Sequence, residues 1–163
     1  MTIPRPRAVN FLGFAICAGL MGFALYAQHV LLLDPCPLCV FQRVATILVG
    51  FFFLIAAIHN PDGVGRKVYA TLLLFAAAGG AGVAGWHWYI QNLPPSEVPA
   101  CGPGLDYMLD NFPLMQALQM VFKGSGECAE VMWNFLGLSM PAWVLLWMVG
   151  LGAVGVWNNL RNA

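Results

Sequence analysis

Apolar and polar positions alternate along this chain on the scale of whole helices. Uncharged apolar runs cover residues 8–33 and 68–93, and a third, 38–58, is interrupted only by Arg43. A fourth lies inside the uncharged run 131–160, with its continuous apolar part at 141–157. A helix of about 20 apolar residues crosses a hydrocarbon core about 30 Å thick. These runs are too long and too apolar for soluble amphipathic helices. The pattern therefore predicts an all-α membrane protein, a bundle of four transmembrane helices at about 9–33, 40–58, 68–90 and 141–157. Residues 1–163 then form a single integral membrane domain. Arg5 and Arg7 imitate the start of a signal peptide. The apolar run behind them exceeds the about 7–15 residues of a cleavable signal and has no polar, small-residue cleavage site, so the first span reads as retained.

Two segments connect the spans on one side, a short one at 34–39 and a long one at 91–138. The long one begins as loop, with Pro94, Pro95, Pro99, Gly102, Pro103 and Gly104. Further on, Leu114, Leu118 and Val121 share a helical face, with Met115 and Phe122 adjoining. That pattern fits a short helix at the membrane interface or a surface helix in a compact loop. Between residues 76 and 85 the third span is almost all Ala and Gly, which lets helices approach closely in lipid.

Composition strengthens the membrane reading: 60% of residues are apolar and 9% charged, against about 45–50% and about 25% in soluble domains. Disorder, nucleic-acid binding and a free cytosolic enzyme are excluded on this ground. Seven basic and seven acidic residues cancel, so only their placement is informative. Arg5, Arg7, Arg66, Lys67 and Arg161 fall on the side of the termini, and Arg43 and Lys123 on the other. The positive-inside rule places both termini in the cytoplasm, and hence 34–39 and 91–138 in a periplasm or cell exterior. Six of the seven acids (Asp34, Glu97, Asp106, Asp110, Glu127 and Glu130) agree with that orientation.

The five cysteines are Cys17, Cys36, Cys39, Cys101 and Cys128. Four lie on the outer side, where disulfides persist, and Cys17 lies mid-span as a small packing residue. The expectation is two disulfides and one buried thiol. Cys36-Pro37-Leu38-Cys39 is a C-x-x-C motif at the mouth of the second span. A c-type haem site would need His where Val40 stands. A zinc site of paired knuckles would need a second short spacing, and Cys101 and Cys128 are 27 apart. No metal centre is therefore expected. A structural disulfide and a redox-active pair remain. So small a ring gains little from loop closure. Cys39 also sits where a helix N-terminus favours a thiolate. Arg43 follows one turn deeper on the same face. A charge inside the membrane marks a functional site, unless it snorkels to headgroups. With no nucleotide motif visible, a membrane quinone is the acceptor reached by elimination.

The segments 36–43 (Cys-Pro-Leu-Cys-Val-Phe-Gln-Arg), 99–103 (Pro-Ala-Cys-Gly-Pro) and 126–130 (Gly-Glu-Cys-Ala-Glu) resemble the DsbB family of disulfide bond formation proteins, as does Trp133 through Pro141 leading into the last span. The resemblance covers nearly the whole chain. It implies an inner-membrane oxidoreductase that reoxidises a periplasmic DsbA-like thioredoxin-fold oxidase and passes the electrons to ubiquinone or menaquinone. By resemblance, the disulfides are Cys36–Cys39 and Cys101–Cys128. Cys101 meets the partner, Cys128 exchanges with Cys36, and Cys39 faces the quinone. Arg43 matches the family's quinone-site arginine, and His87 a histidine placed near the quinone. The alternative for His87 is a polar residue at the interface, as for His29 and His59. Two other readings are a vitamin K epoxide reductase-like enzyme, whose C-x-x-C lies on the last helix of its bundle, and a non-catalytic scaffold stapled by disulfides.

Overall fold

The computed structural model describes residues 5–94, 96–98, 107, 110–124 and 126–161. Cys101 and its Pro- and Gly-rich flank lie outside the described residues. Among the described residues, four helices are long and apolar enough to cross a membrane: α1 (Pro6–His29), α2 (Pro37–His59), α3 (Val64–Gln91) and α6 (Met140–Leu160). Between α3 and α6 lie α4 (Leu114–Lys123), the single turn α5 (Gly126–Ala129) and a hairpin of β1 (Asn134–Phe135) and β2 (Leu138–Ser139).

The long helices begin one to four residues before the apolar runs do. Proline explains three of these starts, since α1, α2 and α6 each carry one in their first turn. The missing N–H of proline is no loss there, and its fixed φ suits the helix. At the other end, α1 stops at His29 although the apolar run continues to Leu33. Leu32 has φ 55°, and Pro35 bars Asp34 from helical geometry. α2 ends on Asn60 in the left-handed region, whose N–H is donated to the Ala56 carbonyl, a helix-terminating cap.

The bundle core joins Cys17, Val49, Phe53, Leu73, Ala77, Met148 and Leu151. Phe11, Phe51, Phe75 and Val149 point outward, as expected where the solvent is lipid. Small residues set the helix spacing. A Cβ placed on Gly50 would lie 2.9 Å from the Cys17 Cβ, and one on Gly152 2.9 Å from the Ala77 Cβ. Cys17 thus packs α1 on α2 as a small residue. Gly152→Leu must push α6 off α3, and is expected to destabilise the bundle by about 1–3 kcal/mol. Thermal unfolding in detergent checks this, and an unchanged midpoint counts against the close approach.

At the end holding both termini, α1 and α6 are tied by buried amides. Asn158 and Asn159 each donate from Nδ2 to the Asn10 Oδ1, at 3.0 and 3.2 Å. Asn10 returns a bond to the Asn159 Oδ1 at 3.3 Å. In lipid, such interhelical amide bonds contribute about 0.6–2 kcal/mol each.

The helix expected in the long connection is present as α4. Ala117 and Val121 are buried, whereas Leu114 and Met115 are exposed. Its inner face packs with Leu38 and Ile90, and the Trp86 indole donates to the Phe122 carbonyl at 2.8 Å. Leu114, Met115 and Phe122 form an outward apolar side suited to the headgroup boundary. The β1–β2 hairpin turns through Leu136 (φ 53°) and Gly137 (φ 80°). Two positive φ values match the twist of a two-residue hairpin.

Candidate redox site

Cys36 caps α2. Its backbone is extended, and its Sγ accepts from the Cys39 N–H at 3.4 Å. Pro37 then starts the helix, so Cys39 falls in the first turn, where unpaired N–H groups favour negative charge. The Cys36 thiol donates to the Cys39 Sγ at 3.0 Å. The two thiols differ in surroundings. Cys36 is buried with Leu38, Ile90, Ala117, Val121 and Cys128, while Cys39 is only partly covered.

α5 and α3 bring the remaining polar atoms to Cys36. The Sγ atoms of Cys36 and Cys128 and a ring nitrogen of His87 lie within 4.8 Å of one another, all in buried residues. His87 Nε2 is 3.7 Å from the Cys36 Sγ and 3.0 Å from the Cys128 carbonyl oxygen. Its Nδ1 is 2.8 Å from Nε2 of Gln42. Donation from the His87 Nε2–H to that carbonyl leaves Nδ1 to accept from the Gln42 amide, which fixes the tautomer. Thr46 in turn donates to the Gln42 carbonyl at 2.8 Å.

Arg43 lies one turn below Cys39 and reaches across to α1. Nη1 donates to the Gln28 Oε1, and Nη2 donates to the Ala24 carbonyl at 3.1 Å. These bonds hold the guanidinium against α1. Cys39 and Arg43 share the wall of a cavity of about 370 Å³. Phe23, Trp133, Trp143 and Trp147 supply much of its apolar lining. The hairpin is fixed beside it, as Trp133 stacks on Phe135 at 5.9 Å and the Trp143 indole donates to the Phe135 carbonyl at 3.0 Å. Such a pocket admits a flat ring, with a cation and a sulfur at one edge.

Cys36, Cys39, Cys128, Arg43 and His87 therefore gather at one end of the bundle. His87 is buried, at 2% exposed. Its polar atoms engage the cysteines, although the residue also borders the cavity. By contrast, His59 is exposed against Tyr69, and His29 is exposed at the end of α1. Cys17 stays in the mid-bundle core. Sequence reasoning missed Gln42 and Gln28. Gln42 lies three residues after Cys39, hence on the same side of the helix, and that spacing is the signal that could have found it. Gln42→Leu unlocks the His87 tautomer. It is expected to slow thiol exchange about 10-fold, the equivalent of one buried hydrogen bond of about 1.4 kcal/mol. Rapid-quench measurement of the exchange step checks this, and an unchanged rate would make Gln42 a packing residue only.

The fold and these thiols define a class, the membrane-embedded thiol oxidoreductases. The family profile described as disulfide bond formation protein DsbB matches residues 6–158. A disulfide bond formation protein B of Nitrosococcus oceani is 52% identical over 156 residues, 96% of this chain and 92% of the relative. The protein of the same name from Methylococcus capsulatus is 50% identical over 164 residues, 99% of this chain and 100% of the relative. The chain belongs to the DsbB family. It is a multi-pass inner-membrane enzyme of disulfide bond formation that reoxidises a DsbA-type partner in a quinone-linked reaction. Membership sets aside the scaffold and vitamin K epoxide reductase-like readings.

Proposed function

We propose that the electron pair travels from a thioredoxin-fold DsbA-like donor through Cys101, Cys128, Cys36 and Cys39 to ubiquinone or menaquinone. The observation that carries this path is the packing of Cys128, Cys36 and His87 within 4.8 Å at the rim of the cavity holding Cys39 and Arg43. A donor thiolate attacks Cys101 of a Cys101–Cys128 disulfide. The S–S bond breaks, Cys128 leaves as thiolate, and the second donor thiol releases Cys101. Cys128 then attacks Cys36 of a Cys36–Cys39 disulfide, and Cys39 leaves as thiolate. Cys101 resolves the Cys36–Cys128 bond. The reduced Cys36–Cys39 pair then gives up two electrons and two protons and closes its disulfide. Each exchange is attack by a thiolate on a disulfide sulfur.

The cavity fits a quinone head in size, apolar lining and the placement of Arg43. Bound quinone supplies a two-electron acceptor and leaves as quinol. Arg43 stabilises the Cys39 thiolate and charge developing at the acceptor edge. His87, held by Gln42, orients Cys128 through its carbonyl. The placement of basic residues supports an orientation with cytoplasmic termini and this site on the periplasmic side.

In detergent micelles, reduced DsbA-like protein and ubiquinone are expected to be consumed one to one. Menaquinone run in parallel decides which acceptor turns over faster. Folded protein that reduces neither quinone would refute the proposal.

A further inference from the structure

Cys36, His87 and Cys128 come from three separate elements, the start of α2, α3 and α5. Their ligand atoms lie within 4.8 Å of one another, and all three residues are buried. The sequence offers no paired-knuckle pattern, so only the fold assembles this donor set. A tetrahedral zinc ion with Zn–S of about 2.3 Å and Zn–N of about 2.0 Å holds its S and N ligands about 3.6 Å apart. The Cys36 Sγ to His87 Nε2 distance is 3.7 Å. Cys39, whose Sγ is 3.0 Å from that of Cys36, borders this group without belonging to it. Two thiolates with one imidazole form a donor set for Zn²⁺ and other thiophilic ions.

We propose that the reduced enzyme carries a thiophilic-metal site made of Cys36, His87 and Cys128, and that Zn²⁺ bound there arrests the exchange path. The site is open only while the cysteines are reduced. In the oxidised protein their sulfurs are committed to disulfides, so the ion is not a resident cofactor. Binding displaces one proton from each ligating thiol and changes no oxidation state. Metal-held thiolates are then withdrawn from attack. The cavity bordered by Cys36, Cys39 and His87 gives the ion an approach. Gln42 completes the design. To ligate through Nε2, His87 must give up its bond to the Cys128 carbonyl and carry its proton on Nδ1, and the Gln42 amide can turn its oxygen to accept that proton. A hydrogen-bonded partner on the distal ring nitrogen is the usual support of a metal-binding histidine.

The inference uses cysteines of the proposed path but needs only their thiol state, so it is tested without turnover. Wild-type protein is reduced with a phosphine, desalted without oxygen and titrated with Cd²⁺. The expected result is a sulfur-to-cadmium charge-transfer band saturating at one equivalent, absent from oxidised protein and unchanged in Cys17→Ala. Gln42→Leu should weaken binding about 10–100-fold. X-ray absorption on Zn²⁺-loaded wild-type protein should show sulfur ligands and one imidazole, an outcome independent of how any variant folds. A chelator should restore exchange. No stoichiometric band, the same band in oxidised protein, or a zinc shell without imidazole would each overturn the proposal.

Discussion

Cys39→Ser is expected to bring donor-dependent quinone reduction to background while leaving the fold intact. Serine keeps the size of the first helical turn and offers an oxygen where the Cys36 thiol now donates. What disappears is the sulfur that, in the proposed path, accepts electrons from the exchange chain. Without Cys39 there is no Cys36–Cys39 disulfide for Cys128 to attack, so the path is cut before the acceptor. The proposed Cys101–Cys128 disulfide is untouched, so the variant should still oxidise one equivalent of reduced donor in a single burst. Sustained quinone reduction by the variant beyond that burst would place Cys39 off the path. The measurement is paired, with donor thiols counted by alkylation and quinone followed by absorbance.

Arg43→Met should lower turnover at saturating quinone about 10²–10³-fold, the loss of about 2.7–4 kcal/mol that follows removal of one charge-stabilising donor from an apolar site. Methionine keeps the apolar stem and removes the guanidinium. Arg43→Lys should recover only part of this. The guanidinium bonds Gln28 and the Ala24 carbonyl at once through its planar fork, and an ammonium cannot reproduce that geometry. The apparent affinity for quinone should fall in both variants, since Arg43 lies on the cavity wall. A variant with unchanged turnover would return Arg43 to a purely structural tie between α1 and α2.

The four spans were legible because lipid forces every spanning helix to be apolar over its full length. Their ends were less so, since Pro6 and Pro37 extend helices before hydrophobicity begins, and Leu32 and Pro35 end α1 while hydrophobicity continues. The pattern on α4 did not show which of its residues pack inward. Ala117 contributes little to a hydrophobic pattern, yet it is 1% exposed, while the larger Leu114 is 67% exposed. Packing against α2 and α3 decided the face, and periodicity cannot register such contacts. The cysteines and Arg43 announced themselves chemically, by spacing and by a charge in an apolar run. Gln42 carried no such mark. Its role depends on His87, 45 residues away. The bonds of Asn10 with Asn158 and Asn159 span nearly the whole chain and follow only once α1 and α6 are adjacent.

In the proposed path, Cys128 and Cys36 are direct exchange partners. The double variant Cys39→Ser, Cys101→Ser leaves both without their other partners. Mild oxidation followed by non-reducing peptide mapping tests the claim most directly. The close placement of the two sulfurs beside His87 predicts a Cys36–Cys128 disulfide in nearly all molecules. Recovery of both cysteines as alkylatable thiols, or a cross-link only between separate chains, would contradict it.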